Sequence, residues 1–500
     1  MKKGILLSNF FKDDDLGFFE GEEEAESLLA AAYGGAAQSS LSIKELMEDL
    51  PEYIPEAKAA SEDVSPSVPA TVEEPRQRKE SFLSESKLFH HLVEHYPIRK
   101  YGNMAYIRRG YVWLPVSEDV VGALLLESLP DEKRNGFNSK QADHVAYRIM
   151  LDNKFKEDSL KIPPQVMLFR NGCFSATTYE KVTPHDDWFF PFCINANFDP
   201  DCDDSCPVFD RFLDQISNHD PEIKDLFMAF LAYCLMPGAP LKKLFVLGPE
   251  YDTGKSLLAE WLQFYVGEDQ TTSIPLERYH QSFALADIVG KSLIFSMELP
   301  GDSLPSKATI VAKSITGHDK IQIQQKYLKA FKYAPHAKII CGTNHPIRTL
   351  DLPFIRRILV LPCLNPIPPH EQDDELLSKL FAEEDAIMVK IMHAARKFIM
   401  NGMEFPHCTA SLKVKQDWQR NNVPHLARFI EERCTLDPVA RCWSEDLYNA
   451  FEQYCADRRT SAPSTKALVE AIKIGWPELI HDRWAENGRQ GRGFYGIRLN

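Results

Sequence analysis

The densest chemistry in the chain lies in LFVLGPEYDTGKSLLAEWL, residues 244–262. Leu244 to Leu247 reads as a buried strand, a glycine turn follows, and Lys255-Ser256 opens an amphipathic helix. Backbone N–H groups of such a turn, together with the positive end of the helix, cradle phosphates. The expected nucleotide contacts are Gly248, Thr253, Gly254, Lys255, Ser256 and Leu257. Lys255 would reach the β and γ phosphates of ATP, and the Ser256 hydroxyl would ligate Mg²⁺. Five residues separate Gly248 from Gly254, where the usual motif has four. Either Pro249 fills the slot of the first glycine or the loop is one residue longer.

Hydrolysis also needs an acid on a neighbouring strand. KSLIFSMELP supplies Glu298 just past the apolar run Leu293 to Ser296, where a carboxylate can hold the metal's water shell and polarise water. Position 297 is Met, so the pair of acids found in many such sites is reduced to one. AKIICGTNHP ends a third strand in Asn344, expected to lie between the other two and to touch the γ-phosphate. Arg356-Arg357 follows the turn Asp351-Leu352-Pro353 and leads into the strand Ile358 to Leu361. An arginine there can stabilise transition-state charge in a neighbouring subunit's site.

These residues need a scaffold that brings strand ends together. Short apolar strands alternating with helices from about residue 241 imply an α/β fold with a parallel sheet. Upstream, helical stretches such as Ala142 to Asn153 mix with strand-like runs such as Ala105 to Val116, and a helix is predicted from Asp220 to Leu235. No internal repeat is visible.

The order and spacing, 43 residues from Lys255 to Glu298 and 46 from there to Asn344, then Arg-Arg, resemble the superfamily 3 helicases. The resemblance is to their phage, plasmid and poxvirus primase-helicase branch. That branch carries Leu-Thr-Gly-x-Asp, then Lys-Tyr and Phe, between the acid and the asparagine. Here SITGHDKIQIQQKYLKAFKYAP places Gly317, Asp319, Lys326, Tyr327 and Phe331 in those slots. The likeness extends upstream through residues 168–200 and downstream through Phe429 to Leu499, about 400 of the 500 residues. It implies an AAA+-like P-loop ATPase core with a parallel sheet, preceded by an α+β domain and followed by a winged-helix domain. It further implies a hexameric ring moving on single-stranded DNA, with Glu298 activating water, Asn344 as sensor, and Arg356 or Arg357 inserting in trans. The expected domains are an acidic, largely disordered arm at 1–83, a pre-helicase domain at 84–240, the ATPase core at 241–405 and the winged-helix-like domain at 406–500.

Two basic foci suit DNA. Residues 313–332 hold Lys313, Lys320, Lys326, Lys329 and Lys332 against Asp319 alone, interleaved with Tyr327 and Phe331. Lys326, Lys329 and Lys332 are the expected channel contacts. In the C-terminal block, Ser444 is a candidate N-cap for the helix WSEDLYNAFEQYC, and Ser464 to Ile474 makes another helix. ENGRQGRGFYGIRL then reads as a hairpin, with Arg489 and Arg492 near its tip as the expected phosphate contacts on origin duplex DNA.

Composition sets the outer limits. The net charge of −15 excludes a surface coated in basic residues but not a local nucleic-acid site. No apolar run approaches the roughly 18 residues of a membrane span, and no small-residue cleavage site follows MKKGILLSNFF, so an intracellular protein of a host cell is expected. Eleven cysteines are expected as reduced thiols; Cys202 and Cys206 form a CxxxC without the further ligands of a zinc site. Residues 1–80 hold 18 acidic and 8 basic residues. Within them LLSNFF resembles the end of sliding-clamp-binding peptides, with Gly4 where those carry Gln, so the arm is a candidate for recruiting a clamp or a primase. The first functional reading is a replicative helicase of a mobile element or virus. The alternative is an origin-binding, partner-recruiting ATPase that opens little DNA itself. A primase centre inside this chain is not supported, since residues 1–80 are too few for one.

Overall fold

The computed structural model describes residues 84–500 apart from 102, 135–136, 158, 164, 325–329 and 487. The N-terminal arm and its clamp-like peptide lie outside the described residues.

The described chain is a mixed α/β structure. It opens with α1 (Glu85–His95), β1 (Ile98–Tyr101), β2 (Met104–Arg109), β3 (Val112–Pro115), α2 (Glu118–Ser128), α3 (Ser139–Leu151) and β4 (Lys156–Glu157). The run Ala105 to Val116 is thus a hairpin, turning at Gly110, rather than one strand. The strands order as β3-β2-β1-β4, and α1, α2 and α3 bury Leu92, Leu125 and Ile149 with Ile107 in a cluster of their own. A small antiparallel sheet follows from β5 (Val166–Phe169), β6 (Gly172–Ser175) and β7 (Lys181–Val182). Next come α4 (Pro207–Ile216) and α5 (Pro221–Leu235). Asp220 caps α5 through its carboxylate, and Pro221 sits at the first turn, where its missing N–H costs nothing.

The central sheet uses β8 (Leu244–Pro249), β9 (Thr271–Ser273), β10 (Leu293–Ser296), β13 (Lys338–Gly342) and β14 (Ile358–Cys363). Its order is β14-β8-β13-β10-β9 and every pairing is parallel. Both faces are covered, which is why β8, β10, β13 and β14 are largely apolar runs without alternation; β9, the edge strand Thr-Thr-Ser, is not. Phe245, Leu247, Leu293, Phe295 and Ile340 face α5, α6 (Lys255–Val266) and α9 (Glu384–Met400). Leu244, Val246, Ile294, Ile339 and Val360 face α7 (Ser306–Thr316), α8 (Leu352–Arg357) and α10 (Thr409–Arg420). The apolar core therefore crosses residue 240 without a break, since α5 packs against the same side chains as α6. Lys338, fully buried at the start of β13, ties the sheet to α5 by donating to the carbonyls of Cys234 (3.2 Å) and Met236 (2.6 Å).

From α7 the chain runs into a two-stranded hairpin, β11 (Ile321–Ile323) and β12 (Phe331–Tyr333). The C-terminal block has its own cluster, formed by α11 (Leu426–Arg433), β15 (Cys434–Trp443), α12 (Ser444–Asp457), α13 (Thr465–Gly475), β16 (Ile480–Glu486) and β17 (Arg489–Leu499). Its strands order β15-β17-β16, all antiparallel. Ser464, expected as the first residue of a helix, caps α13, but Ser444 does not cap α12: Trp443 holds the cap position and the Ser444 hydroxyl bonds His481 at 3.0 Å. Among the described residues no helix is long and apolar enough to cross a membrane, and no group of three His, Cys, Asp or Glu is placed to hold a metal ion. All eleven cysteines are free thiols.

Candidate functional site

β13 lies between β8 and β10, so three strand ends deliver Lys255, Asn344 and Glu298 to one edge of the sheet. The ends are joined by backbone. Thr343 N–H donates to the Leu247 carbonyl at 3.0 Å, and Leu299 N–H donates to the Gly342 carbonyl at 3.0 Å. The approach is close enough to require glycine. A Cβ on Gly248 would sit 2.6 Å from the Thr343 carbonyl oxygen, and one on Gly342 would sit 2.6 Å from that of Met297. Gly248 is therefore needed for strand packing beside the loop. Gly342 was not apparent from sequence; its only signal was a glycine ending an apolar strand just before Thr-Asn.

β8 takes in both Gly248 and Pro249, which pair with Pro362 and Cys363 of β14. Four residues then separate the strand's last residue, Pro249, from Gly254. Asp252 adopts a left-handed φ of 49° and its carbonyl accepts from Ile367 N–H at 2.7 Å, while Tyr251 points to solvent. Thr253 is buried, with its hydroxyl 3.5 Å from the Glu250 carbonyl. Gly254, at φ 88°, turns the chain into α6. No side chain caps α6, so its first N–H groups and the positive end of its dipole remain for a ligand.

Lys255 is half-buried. Its ammonium donates to the Glu250 carbonyl and to Asn344 Oδ1, the latter at 2.9 Å. Burial lowers its pKa below the ordinary lysine range, opposed by neighbouring Cys363, Asp252 and Glu250. Ser256 is exposed on the first turn of α6, and Leu257 packs into the core beside it. Glu298 and Asn344 are exposed. Met297, where a second acid would stand, instead packs into the α6-facing core.

Arg356 and Arg357 end α8 beside the edge strand β14, and their surroundings differ. Arg357 donates to the Lys313 carbonyl and to the Thr316 hydroxyl (2.6 Å), closing the C-terminal turn of α7. Arg356 is exposed and has no partner among the described residues. Asp351 fixes this corner: it caps α8 by accepting from Phe354 N–H (3.0 Å), and it accepts from Thr309 (3.0 Å) and Lys313 (2.6 Å). Burial raises the Asp351 pKa, but these bonds outweigh it and hold the carboxyl below the usual carboxylate range. Lys313 is thereby committed inside the fold.

Of the expected DNA contacts, Lys326 and Lys329 lie outside the described residues, as does Tyr327. Lys332 is exposed on β12. His318 and His336 flank the hairpin base with rings 5.5 Å apart, and the Nε2 atoms of both are buried without a partner. In the C-terminal block Arg489 is engaged within its own domain. It pairs with Glu445 (2.9 Å) and Asp446 (2.9 Å) and lies over the Trp443 ring at 5.1 Å. Arg492 is exposed and has no partner among the described residues.

A family model described as a family of unknown function, DUF5906, matches residues 246–357, the stretch from β8 to the end of α8. Among solved structures the chain is similar to the apo C-terminal region of NrS-1. In one such structure the TM-score is 0.41 at 13% identity, covering 82% of this chain and 99% of that one. In another, the TM-score is 0.38 at 12% identity, covering 82% and 98%.

Proposed function

We propose that the protein is an ATP-dependent DNA helicase of a mobile element or virus, built as a ring of AAA+-like P-loop subunits, with a C-terminal winged-helix domain that binds origin duplex DNA. The observation that carries this reading is the convergence of Lys255, Asn344 and Glu298 on adjacent strand ends beside an uncapped helix N-terminus. That arrangement suits a nucleoside triphosphate: the N–H groups of α6 and the Lys255 ammonium bind its phosphates. Ser256 and Glu298 would hold Mg²⁺, which supplies charge neutralisation on the phosphates when bound. Glu298 accepts the proton of the attacking water, and Asn344 orients that water.

The free guanidinium of Arg356, contrasted with the committed one of Arg357, supports Arg356 as the group inserted into the next subunit. A site completed in trans implies a homo-oligomer, proposed as a hexamer, with single-stranded DNA in the channel gripped by Lys326, Lys329 and Lys332. Arg492 contacts duplex phosphates; Arg489 instead stiffens the hairpin. The acidic arm recruits a replication partner such as a primase or a clamp.

Single-stranded DNA should stimulate ATP hydrolysis and drive strand displacement, and Lys255→Ala should abolish both. Duplex-site binding that survives Lys255→Ala, with no strand displacement by the unaltered protein, would instead identify a partner-recruiting initiator. A protein that hydrolyses no nucleoside triphosphate under any condition refutes both.

A further inference from the structure

The β16–β17 hairpin places two arginines directly opposite one another: Arg483 and Arg492 are Cα partners in its register. Both are exposed, and neither makes an ion pair, a ring contact or a side-chain hydrogen bond among the described residues. Like charges facing each other across two strands destabilise a sheet. A hairpin retains such a pair at a cost unless an anion sits between the two forks.

The rest of the hairpin is arranged differently. On its other face Trp484 stacks on Trp443 with ring centroids 4.2 Å apart, and Arg489 lies over Trp443 while pairing with Glu445 and Asp446. The charge near the tip is thus neutralised within the domain. By strand alternation Arg483 shares a face with His481, and Arg492 shares one with Phe494, which is fully buried beneath the helices. The arginine pair extends this helix-facing side beyond the core. His481 reports the local field: burial first, then the nearby Lys473 and Arg492, lower its pKa. Glu470 and Asp482 act on His481 in the opposite sense, but Glu470 bonds Lys473 at 3.0 Å, and among the described residues no carboxylate forms an ion pair with either arginine.

We infer that Arg483 and Arg492 form a paired-guanidinium site for successive phosphates of a duplex DNA backbone. Arginine forks match phosphate oxygens bidentately, and two of them at cross-strand spacing suit a polyphosphodiester better than a lone anion. This inference rests on the DNA-binding reading of the C-terminal block and replaces Arg489 with Arg483 in it.

The test uses the full-length chain and fluorescence anisotropy with labelled duplexes of two unrelated sequences across a salt series, alongside inorganic phosphate as competitor. Replacing both arginines by glutamine (Arg483→Gln with Arg492→Gln) should weaken both duplexes equally, by roughly an order of magnitude at low salt. The slope of log K against log salt should fall by about 1.8, at ~0.9 per phosphate released. Arg489→Gln should leave that slope unchanged while lowering the melting temperature. The double variant should melt no lower than the unaltered protein, because repulsion has been removed. A slope untouched by the double variant, or one lowered equally by Arg489→Gln, overturns the assignment alone. Saturable competition by millimolar phosphate without duplex binding overturns it in favour of a free-anion site. An unaltered chain that binds no duplex overturns the DNA reading on which it rests.

Discussion

Gly342→Ala should separate nucleotide binding from turnover. The new methyl would lie 2.6 Å from the Met297 carbonyl oxygen and 3.1 Å from Met297 Cε. An ordinary carbon–oxygen contact needs roughly 3.3 Å, so β10's end must move by about 0.7 Å relative to β13's. The Leu299 N–H to Gly342 carbonyl bond at 3.0 Å absorbs part of that movement and weakens. Glu298 follows, because it is the residue between Met297 and Leu299. Overpacking of this kind costs about 1–3 kcal/mol of stability. A displacement near 1 Å in a reacting constellation lowers turnover by up to about 100-fold. Lys255 and the start of α6 stand on β8, on the far side of β13, so nucleotide affinity should change little. Single-turnover ATP hydrolysis, a fluorescent-nucleotide titration and a thermal melt measure the three quantities. Turnover within twofold of the unaltered protein, with the expected fall in melting temperature, would refute the coupling of strand-end spacing to Glu298. Equal losses in affinity and turnover would refute the proposed division of labour between β8 and β10.

The paired arginines of α8 should respond in opposite ways. Arg357→Ala removes the bonds to the Lys313 carbonyl and the Thr316 hydroxyl and should cost about 2 kcal/mol in denaturant unfolding. Arg356→Ala should leave the melt unchanged but abolish DNA-stimulated hydrolysis, which mixing with Lys255→Ala subunits partly restores; a destabilised Arg356→Ala protein would contradict its free placement. The hairpin base should be acid-sensitive. Burial, reinforced by His318, pushes the His336 imidazole down to about 4, against about 6.5 unfolded. The folded state binds fewer protons between those values, so this contribution is complete above about pH 6.5 and is lost as pH falls toward 4, up to about 3 kcal/mol. His336→Phe should flatten that part of the stability-versus-pH curve, and a curve that keeps its full acid slope would show that the ring pair is not responsible.

Much of the candidate site was legible because its signals are local. A buried strand, a glycine turn and Lys-Ser at a helix start form one contiguous pattern, and the apolar runs of β8, β10, β13 and β14 are what a sheet covered on both faces requires. Helix starts were readable where the signal is local, as at Asp220 and Ser464, and there the side chain caps its own helix. Ser444 failed that rule because its hydroxyl found His481, 37 residues away, and no helix-start pattern encodes so distant a partner.

Sequence by itself determined which residue types stand at the strand ends and in what order, since strand, turn and helix propensities act over a few residues. Tertiary structure alone decided their neighbours. It freed Arg356 while engaging Arg357, bound Lys313 to Asp351, neutralised Arg489 against Glu445 and Asp446, and set Arg483 against Arg492. The physical reason is that a charged side chain is described by what it faces, and the partners of these lie 38 to 44 residues away or, for Arg483 and Arg492, across a strand register that only the folded sheet fixes.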